Sequence, residues 1–148
     1  MPVDFSWDRR VEFCETDAAG IAHFSSLILY MEQAEHALLR ALGFSVALSV
    51  TSQSTSMAGH EFLSWPRVHL ECNFKSPARF EDRLTILVNV ASISSKSVSY
   101  RHRILLEQCL VADGTMTSVC CTKHGHGLAS RDIPLEMRQA LRQFLIEQ

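Results

Sequence analysis

The chain has 148 residues, 47% of them hydrophobic and 20% charged, with 14 Lys and Arg against 16 Asp and Glu for a formal net charge of −2. That length suits one core that buries roughly 70% of the unfolded surface, so residues 1–148 are read as a single domain. The hydrophobic content excludes a disordered chain, and the near-neutral charge gives no broad electrostatic reason for nucleic acid or an anionic membrane as the main partner.

In chain order, Val11 and Phe13 in an alternating context predict a first strand within residues 5–15, closed by the small-residue loop Thr16-Asp17-Ala18-Ala19-Gly20. Apolar residues then recur at Phe24, Leu27, Met31, Ala34, Leu38 and Leu42, with Ser25, Glu32, Gln33, His36 and Arg40 on other faces. That period predicts the strongest helix of the chain over residues 24–42. Gly43 suits its left-handed C-terminal cap, and Arg40 complements the negative end of the dipole. Residues 51–56 are polar and read as loop, followed by a turn at Gly59-His60 and strands around residues 62–63 and 68–74.

Leu84, Ile86, Val88 and Val90 alternate cleanly. After the break at Ser94-Ser95-Lys96 the alternation resumes through Val98, Tyr100, His102, Ile104 and Leu106, which predicts two long antiparallel strands. A last strand is expected over residues 109–122. Asp132-Ile133-Pro134 then opens a short helix with Ile133, Met137, Leu141 and Phe144 inward. Strand, long helix, a run of strands and a short helix make an α+β fold, in which one helix covers one face of a mainly antiparallel sheet.

No apolar run reaches the roughly 18 residues of a spanning helix, and residues 1–10 are unlike a signal peptide, so the chain is expected to be cytoplasmic, without membrane insertion. Five cysteines without CxxC spacing argue against a disulfide framework or zinc knuckle and for buried thiols in a reducing compartment.

Gly43-Phe44-Ser45-Val46-Ala47 nearly matches a serine-hydrolase nucleophile elbow. That turn needs a preceding strand and a final glycine, whereas here a helix precedes and Ala47 ends the match. His60-Glu61 lacks a second histidine at helical spacing, and His124-Gly125-His126 lacks a carboxylate partner, so no metal site is expected. No phosphate-cradling glycine loop is present. There remains Asp17, a carboxylate a few residues before the long helix. The first turn of a helix presents unpaired amides and a positive partial charge that can hold the oxyanion of an attacked acyl carbonyl; one such donor contributes roughly 3 to 4 kcal/mol in acyl transfer. A carboxylate beside it can attack the carbonyl or activate a water. Gly20 would let ligand and backbone approach closely. The competing structural reading makes Asp17 an ordinary turn residue that closes an Asx-turn or caps the helix, and the residues alone leave both readings open.

The runs Val11-Glu12-Phe13-x-x-Thr16-Asp17-x-x-Gly20-Ile21-x-His23-Phe24, Tyr30-x-Glu32, Leu39-Arg40-x-Leu42-Gly43 and Asn73-Phe74-x-x-Pro77-Ala78-x-x-x-Asp82-x-Leu84-Thr85-Ile86 resemble the 4-hydroxybenzoyl-CoA thioesterase-like branch of the hot-dog superfamily, over nearly the whole chain. The resemblance implies a hot-dog fold, an antiparallel sheet wrapped around one long central helix. It further implies protomers side by side with the active site at their interface, as a homodimer or a dimer of dimers, and hydrolysis of an acyl-CoA substrate to free acid and coenzyme A. By position, it makes Asp17 the catalytic nucleophile or general base, the backbone amide near Phe24 the group that polarises the thioester carbonyl, and Gly20 part of the same loop. Lys96 aligns with a basic position of the coenzyme A site, and His23, where relatives carry other aromatic residues, is taken as a substrate contact that packs or orients the loop rather than transfers a proton. No cofactor is implied, because coenzyme A is part of the substrate.

Ser94 and Ser95 stand where relatives can carry arginine, and Leu27 and Leu29 where tyrosine and arginine are found, which suits a greasy acyl pocket or a protomer contact. Glu32 is the rival carboxylate, since another hot-dog branch uses one on the central helix; its place four residues before His36 also serves helix stability. Phe62 and Trp65 read as core aromatics that could line the pocket. Lys96, Arg101 and Arg103 read as ligand contacts or as a solvated strand face. Asp113-Gly114 alone predicts a hairpin turn, whereas the resemblance runs residues 110–122 as one strand with Gly114 at a bulge or close backbone approach. The continuous strand is adopted, because a turn there would leave strands too short to cover the long helix. Rival functions are a non-catalytic acyl-CoA or acyl-lipid binder on the same fold, and a dehydratase, whose chemistry favours an aspartate and histidine pair.

Overall fold

The computed structural model describes residues 3–46 and 63–147. Its elements are β1 (Phe5–Arg10), a 3-10 turn (Phe13–Glu15), α1 (Phe24–Ala41), β2 (Leu63–Ser64), β3 (Arg67–Phe74), β4 (Arg83–Ile93), β5 (Ser97–Leu106), β6 (Cys109–Val119), β7 (Cys121–His124), β8 (Gly127–Ser130) and α2 (Leu135–Leu141), which a 3-10 turn (Arg142–Phe144) extends. The expected loop at residues 51–56, the turn at Gly59-His60, and Ala47, Glu61 and Phe62 lie outside the described residues.

Antiparallel pairing gives the order β1-β4-β5-β6-β3, with β2-β7-β8 as a smaller sheet. Period-two alternation sends Leu84, Ile86, Val88 and Val90 of β4 and Val98, Tyr100 and Ile104 of β5 into one core with Tyr30, Met31, Ala34 and Leu38 of α1. Each such side chain stabilises the fold by roughly 1.5 to 3 kcal/mol on burial. The sheet therefore wraps α1, as the resemblance implies. The helix ends at Ala41, and Gly43 follows at φ +87°, its amide on the Arg40 carbonyl at 3.0 Å. The Gly43-Phe44-Ser45 segment thus leaves a helix, the wrong context for a nucleophile elbow.

Three expectations need correction. β1 stops at Arg10, because the Val11 amide turns to the Asp82 carbonyl at 2.9 Å and Phe13 stands out in solvent. The last strand breaks at Cys120, whose amide donates to the Lys96 carbonyl at 2.7 Å, and β7 leaves to pair with β2 and β8. Cys120 and Cys121 are buried, but Cys14 and Cys109 are exposed rather than buried thiols.

Asp113-Gly114 makes no hairpin: β6 runs through it, with Asn73 and Arg103 opposite Asp113. A Cβ on Gly114 would lie 2.5 Å from the Glu71 carbonyl oxygen and 3.3 Å from the Cys72 Cα. Backbone cannot yield as a side chain can, so Gly114→Ala is expected to destabilise the fold by roughly 1 to 3 kcal/mol. A urea titration reads this as a lowered midpoint at unchanged slope.

Candidate active site

The Asp17 loop closes on itself. Its amide donates to the Ile21 carbonyl at 2.8 Å, and the Gly20 amide donates to the Asp17 carbonyl at 3.0 Å. Asp17 Oδ1 accepts the Ala19 amide at 2.8 Å and the Ile21 amide at 3.4 Å, the Asx-turn of the structural reading, while Oδ2 has no partner among the described residues. Gly20 sits at φ +79° with open space where a Cβ would be, so its left-handed backbone rather than a close approach calls for glycine.

Glu15 anchors the loop. Its Oε1 takes Arg9 at 2.6 Å and the Glu12 amide at 2.8 Å, and its carbonyl takes the His23 amide and the Ser26 hydroxyl at 2.8 and 2.9 Å. The Arg9 guanidinium lies 4.2 Å over the Tyr30 ring. Burial and the Glu15 carboxylate raise the Tyr30 pKa, so Tyr30 stays a neutral phenol.

His23 caps α1, accepting the Ser25 amide on Nδ1 at 3.2 Å and touching the Ser25 hydroxyl at 2.7 Å. Its Nδ1 is thereby occupied. The Phe24 ring stacks on His23 at 4.5 Å and meets Phe74 edge-on at 6.4 Å. The Phe24 amide, first in α1, has no acceptor among the described residues. Asp17, His23, Phe24 and Leu27 face Phe74, Lys75, Ser76 and Pro77 across a cleft of about 530 Å³. Leu29 is exposed and lies outside it.

Asp17, Gly20, His23 and Phe24 are thus brought together; Lys96 is not. β4 runs from Arg83, next to Asp82 at the base of the loop, to Ile93, so within one chain Lys96 lies roughly 30 Å away by strand rise. Arg103 is held by Asp4 at 2.8 Å, and Arg101 is exposed.

A second polar cluster escaped sequence reasoning apart from Glu32. Glu35, 3% exposed, places its carboxylate 2.8 Å from both His102 Nε2 and an Arg67 nitrogen. Arg67 also reaches Glu32 at 3.2 Å and Ser118 Oγ at 3.3 Å, so Glu32 pairs across to β3 rather than along its helix with His36. Burial opposes the Arg67 charge, but Glu35 and Glu32 together outweigh it and raise its pKa. These groups line a cavity of about 230 Å³ with Leu39, Trp65 and Tyr100; Trp65 belongs here and not to the Asp17 cleft. A carboxylate between Ala34 and Leu38 on the inward stripe, and a histidine in the inward register of β5, were the signals available in the sequence.

Among the described residues no three His, Cys, Asp or Glu side chains are grouped to hold a metal ion, and no helix is long and apolar enough to cross a membrane.

Residues 19–112 match the family described as the thioesterase superfamily. The chain is similar to a 1,4-dihydroxy-2-naphthoyl-CoA hydrolase of Synechococcus sp. strain WH7803, 30% identical over 111 residues that span 75% of this chain and 72% of the relative. It is also similar to the acyl-CoA thioester hydrolase YbgC of Escherichia coli O6:H1, 28% identical over 117 residues, 78% of this chain and 81% of the relative. Its fold resembles that of a 1,4-dihydroxy-2-naphthoyl-CoA thioesterase from Synechocystis, with a TM-score of 0.77, 22% identity and coverage of 95% and 96% of the two chains.

Proposed function

The chain belongs to the thioesterase superfamily, and from that premise we propose that it hydrolyses an acyl-CoA thioester to free acid and coenzyme A in the Asp17 cleft. One observation carries the reading: Asp17, with one carboxylate oxygen free of partners among the described residues, and Phe24, whose helix N-terminal amide has no acceptor among them, line the same cleft. Relatives named as naphthoyl-CoA and acyl-CoA hydrolases support the same substrate class.

In this reading the thioester oxygen accepts the Phe24 amide, which sets the carbonyl carbon against Asp17. Oδ2 attacks that carbon or takes a proton from an attacking water, and the negative charge that develops on oxygen is held by the amide and the helix dipole. Collapse breaks the carbon–sulfur bond and expels the thiolate, whose low basicity makes a separate acid unnecessary. If Asp17 attacks directly, water then cleaves the resulting anhydride and restores the carboxylate. His23 fixes the first turn of α1 and Gly20 the turn of the loop, so both are positioning residues. Thiol release that depends on Asp17 supports the proposal, whereas tight binding of an acyl-CoA that stays intact selects the non-catalytic binder.

A homodimer completes the site. β3 is a sheet edge with Val68, Leu70 and Phe74 exposed along it. Antiparallel pairing of β3 with a second copy sets its Arg67 end beside the partner's Phe74 end. The Lys96 end of one protomer then meets the Asp17 cleft of the other. Leu70→Lys is therefore expected to yield a monomer by sedimentation, with hydrolysis lower by about 100-fold. A fully active monomer would remove the dimer from the reading.

A further inference from the structure

The two groups that meet in the Asp17 cleft come from different segments, the carboxylate from the loop and the Phe24 amide from the first turn of α1, and one residue joins them. The Glu15 carbonyl accepts the His23 amide at 2.8 Å and the Ser26 hydroxyl at 2.9 Å, and Asp17 follows two residues on. We propose that Arg9 is a positioning residue for this site: its guanidinium clamps Glu15 to α1 and so holds Asp17 in register with the Phe24 amide. The role rests on the thioester hydrolysis proposed for the cleft.

β1 puts Arg9 where it can do this. Phe5 and Trp7 pack against the core, and the alternation of the strand turns Arg9 the same way, with its side chain 16% exposed. A charge in that register needs partners, and all three guanidinium nitrogens have one. Nε donates to the Arg10 carbonyl at 3.2 Å, Nη1 to Gln33 Oε1 at 2.5 Å and Nη2 to Glu15 Oε1 at 2.6 Å, while the guanidinium carbon lies 4.2 Å from the centre of the Tyr30 ring. Tyr30 and Gln33 are neighbours on one face of α1, roughly 9 and 14 Å along the axis from Phe24. β1 is held in turn by β4, with Arg9 opposite Leu84. Sheet, helix and loop thus meet at one planar group.

The clamp acts through the whole of Glu15. Its Oε1 also accepts the Glu12 amide at 2.8 Å, so the side chain closes the 3-10 turn while the carbonyl holds the start of the helix. Without Arg9 that carboxylate, its side chain 18% exposed, is left charged beside the fully buried Tyr30, and turning toward water relieves it. The turn carries with it the peptide that holds His23 and Ser26. Misplacement of reacting groups by about 1 Å costs about 100-fold in rate. Lysine keeps the charge but lacks the planar fork that reaches Gln33 and Glu15 together while it lies over Tyr30.

The test compares kcat and KM of Arg9→Ala and Arg9→Lys with the parent, well below each thermal midpoint. Both are expected to lose about tenfold or more in kcat with KM within about threefold. A merely structural ion pair would lower the midpoint and leave the folded molecules fully active. A kcat within about threefold of the parent in either variant, or a loss carried by KM alone, therefore overturns the proposal. Arg9→Lys carries the comparison if Arg9→Ala does not fold. Amide hydrogen exchange separates this from the failure of the thioesterase reading, because it needs no turnover. In Arg9→Lys the His23 amide is expected to exchange about tenfold faster or more, while the Ala34 and Leu38 amides in the body of α1 keep the parent rates. That pattern supports the clamp even if no thioester is cleaved, and unchanged His23 exchange overturns it.

Discussion

Asp17→Asn is expected to lower thiol release from acyl-CoA by about 1000-fold while leaving the thermal midpoint within about 2 °C of the parent. The two outcomes separate because the two carboxylate oxygens do different things. Oδ1 holds the Ala19 and Ile21 amides, and an asparagine keeps that oxygen in place. Oδ2 faces no partner among the described residues, and its replacement by an amide nitrogen removes the proposed nucleophile or general base. Asp17→Ala loses both functions: two loop amides are orphaned at about 1 to 2 kcal/mol, and the midpoint drops by several degrees as well. Full hydrolysis by Asp17→Asn would make Asp17 a turn residue and nothing more.

Glu35→Ala is expected to cost the fold about 3 to 5 kcal/mol, the largest stability loss among the substitutions considered. Its carboxylate is the group that Arg67 and the fully buried His102 both face at 2.8 Å. Truncation leaves those partners beside a void, with Arg67 keeping the more exposed Glu32 and the Ser118 hydroxyl. In a chain of this size the loss corresponds to a midpoint lower by about 10 °C. Removing one of the two partners as well eases the loss: Glu35→Leu with His102→Leu fills the space with apolar groups and is expected to recover the part due to His102, while Arg67 keeps Glu32 and Ser118. A loss under about 1 kcal/mol for Glu35→Ala would mean that water, not the ion pair, satisfies these groups.

The helix and the long strands were legible because their signals are local. The apolar period from Phe24 to Leu38 and the stop at Gly43 placed α1 to within a residue of its end, and strict alternation placed β4 and β5. The break at Cys120 was not legible, since Val119-Cys120-Cys121-Thr122 is strand-forming throughout. The Lys96 carbonyl and pairing with β2 divide it, and both are distant in sequence. Glu35 illustrates the same limit. Its place on the inward stripe contradicts the helix pattern, but the partners that resolve the contradiction lie on β3 and β5.

At Asp17 the sequence posed a choice between turn residue and reactive carboxylate. The Asx-turn is present through Oδ1, and the proposed hydrolysis rests on Oδ2 at the cleft.

Release of free thiol from short, long and aromatic acyl-CoA substrates by the parent chain and by Asp17→Asn measures that assignment most directly. Equal amounts of thiol and free acid from at least one substrate, with release lost in Asp17→Asn, is the predicted result. Acyl-CoA recovered intact from the parent chain, or release undiminished in Asp17→Asn, would contradict it.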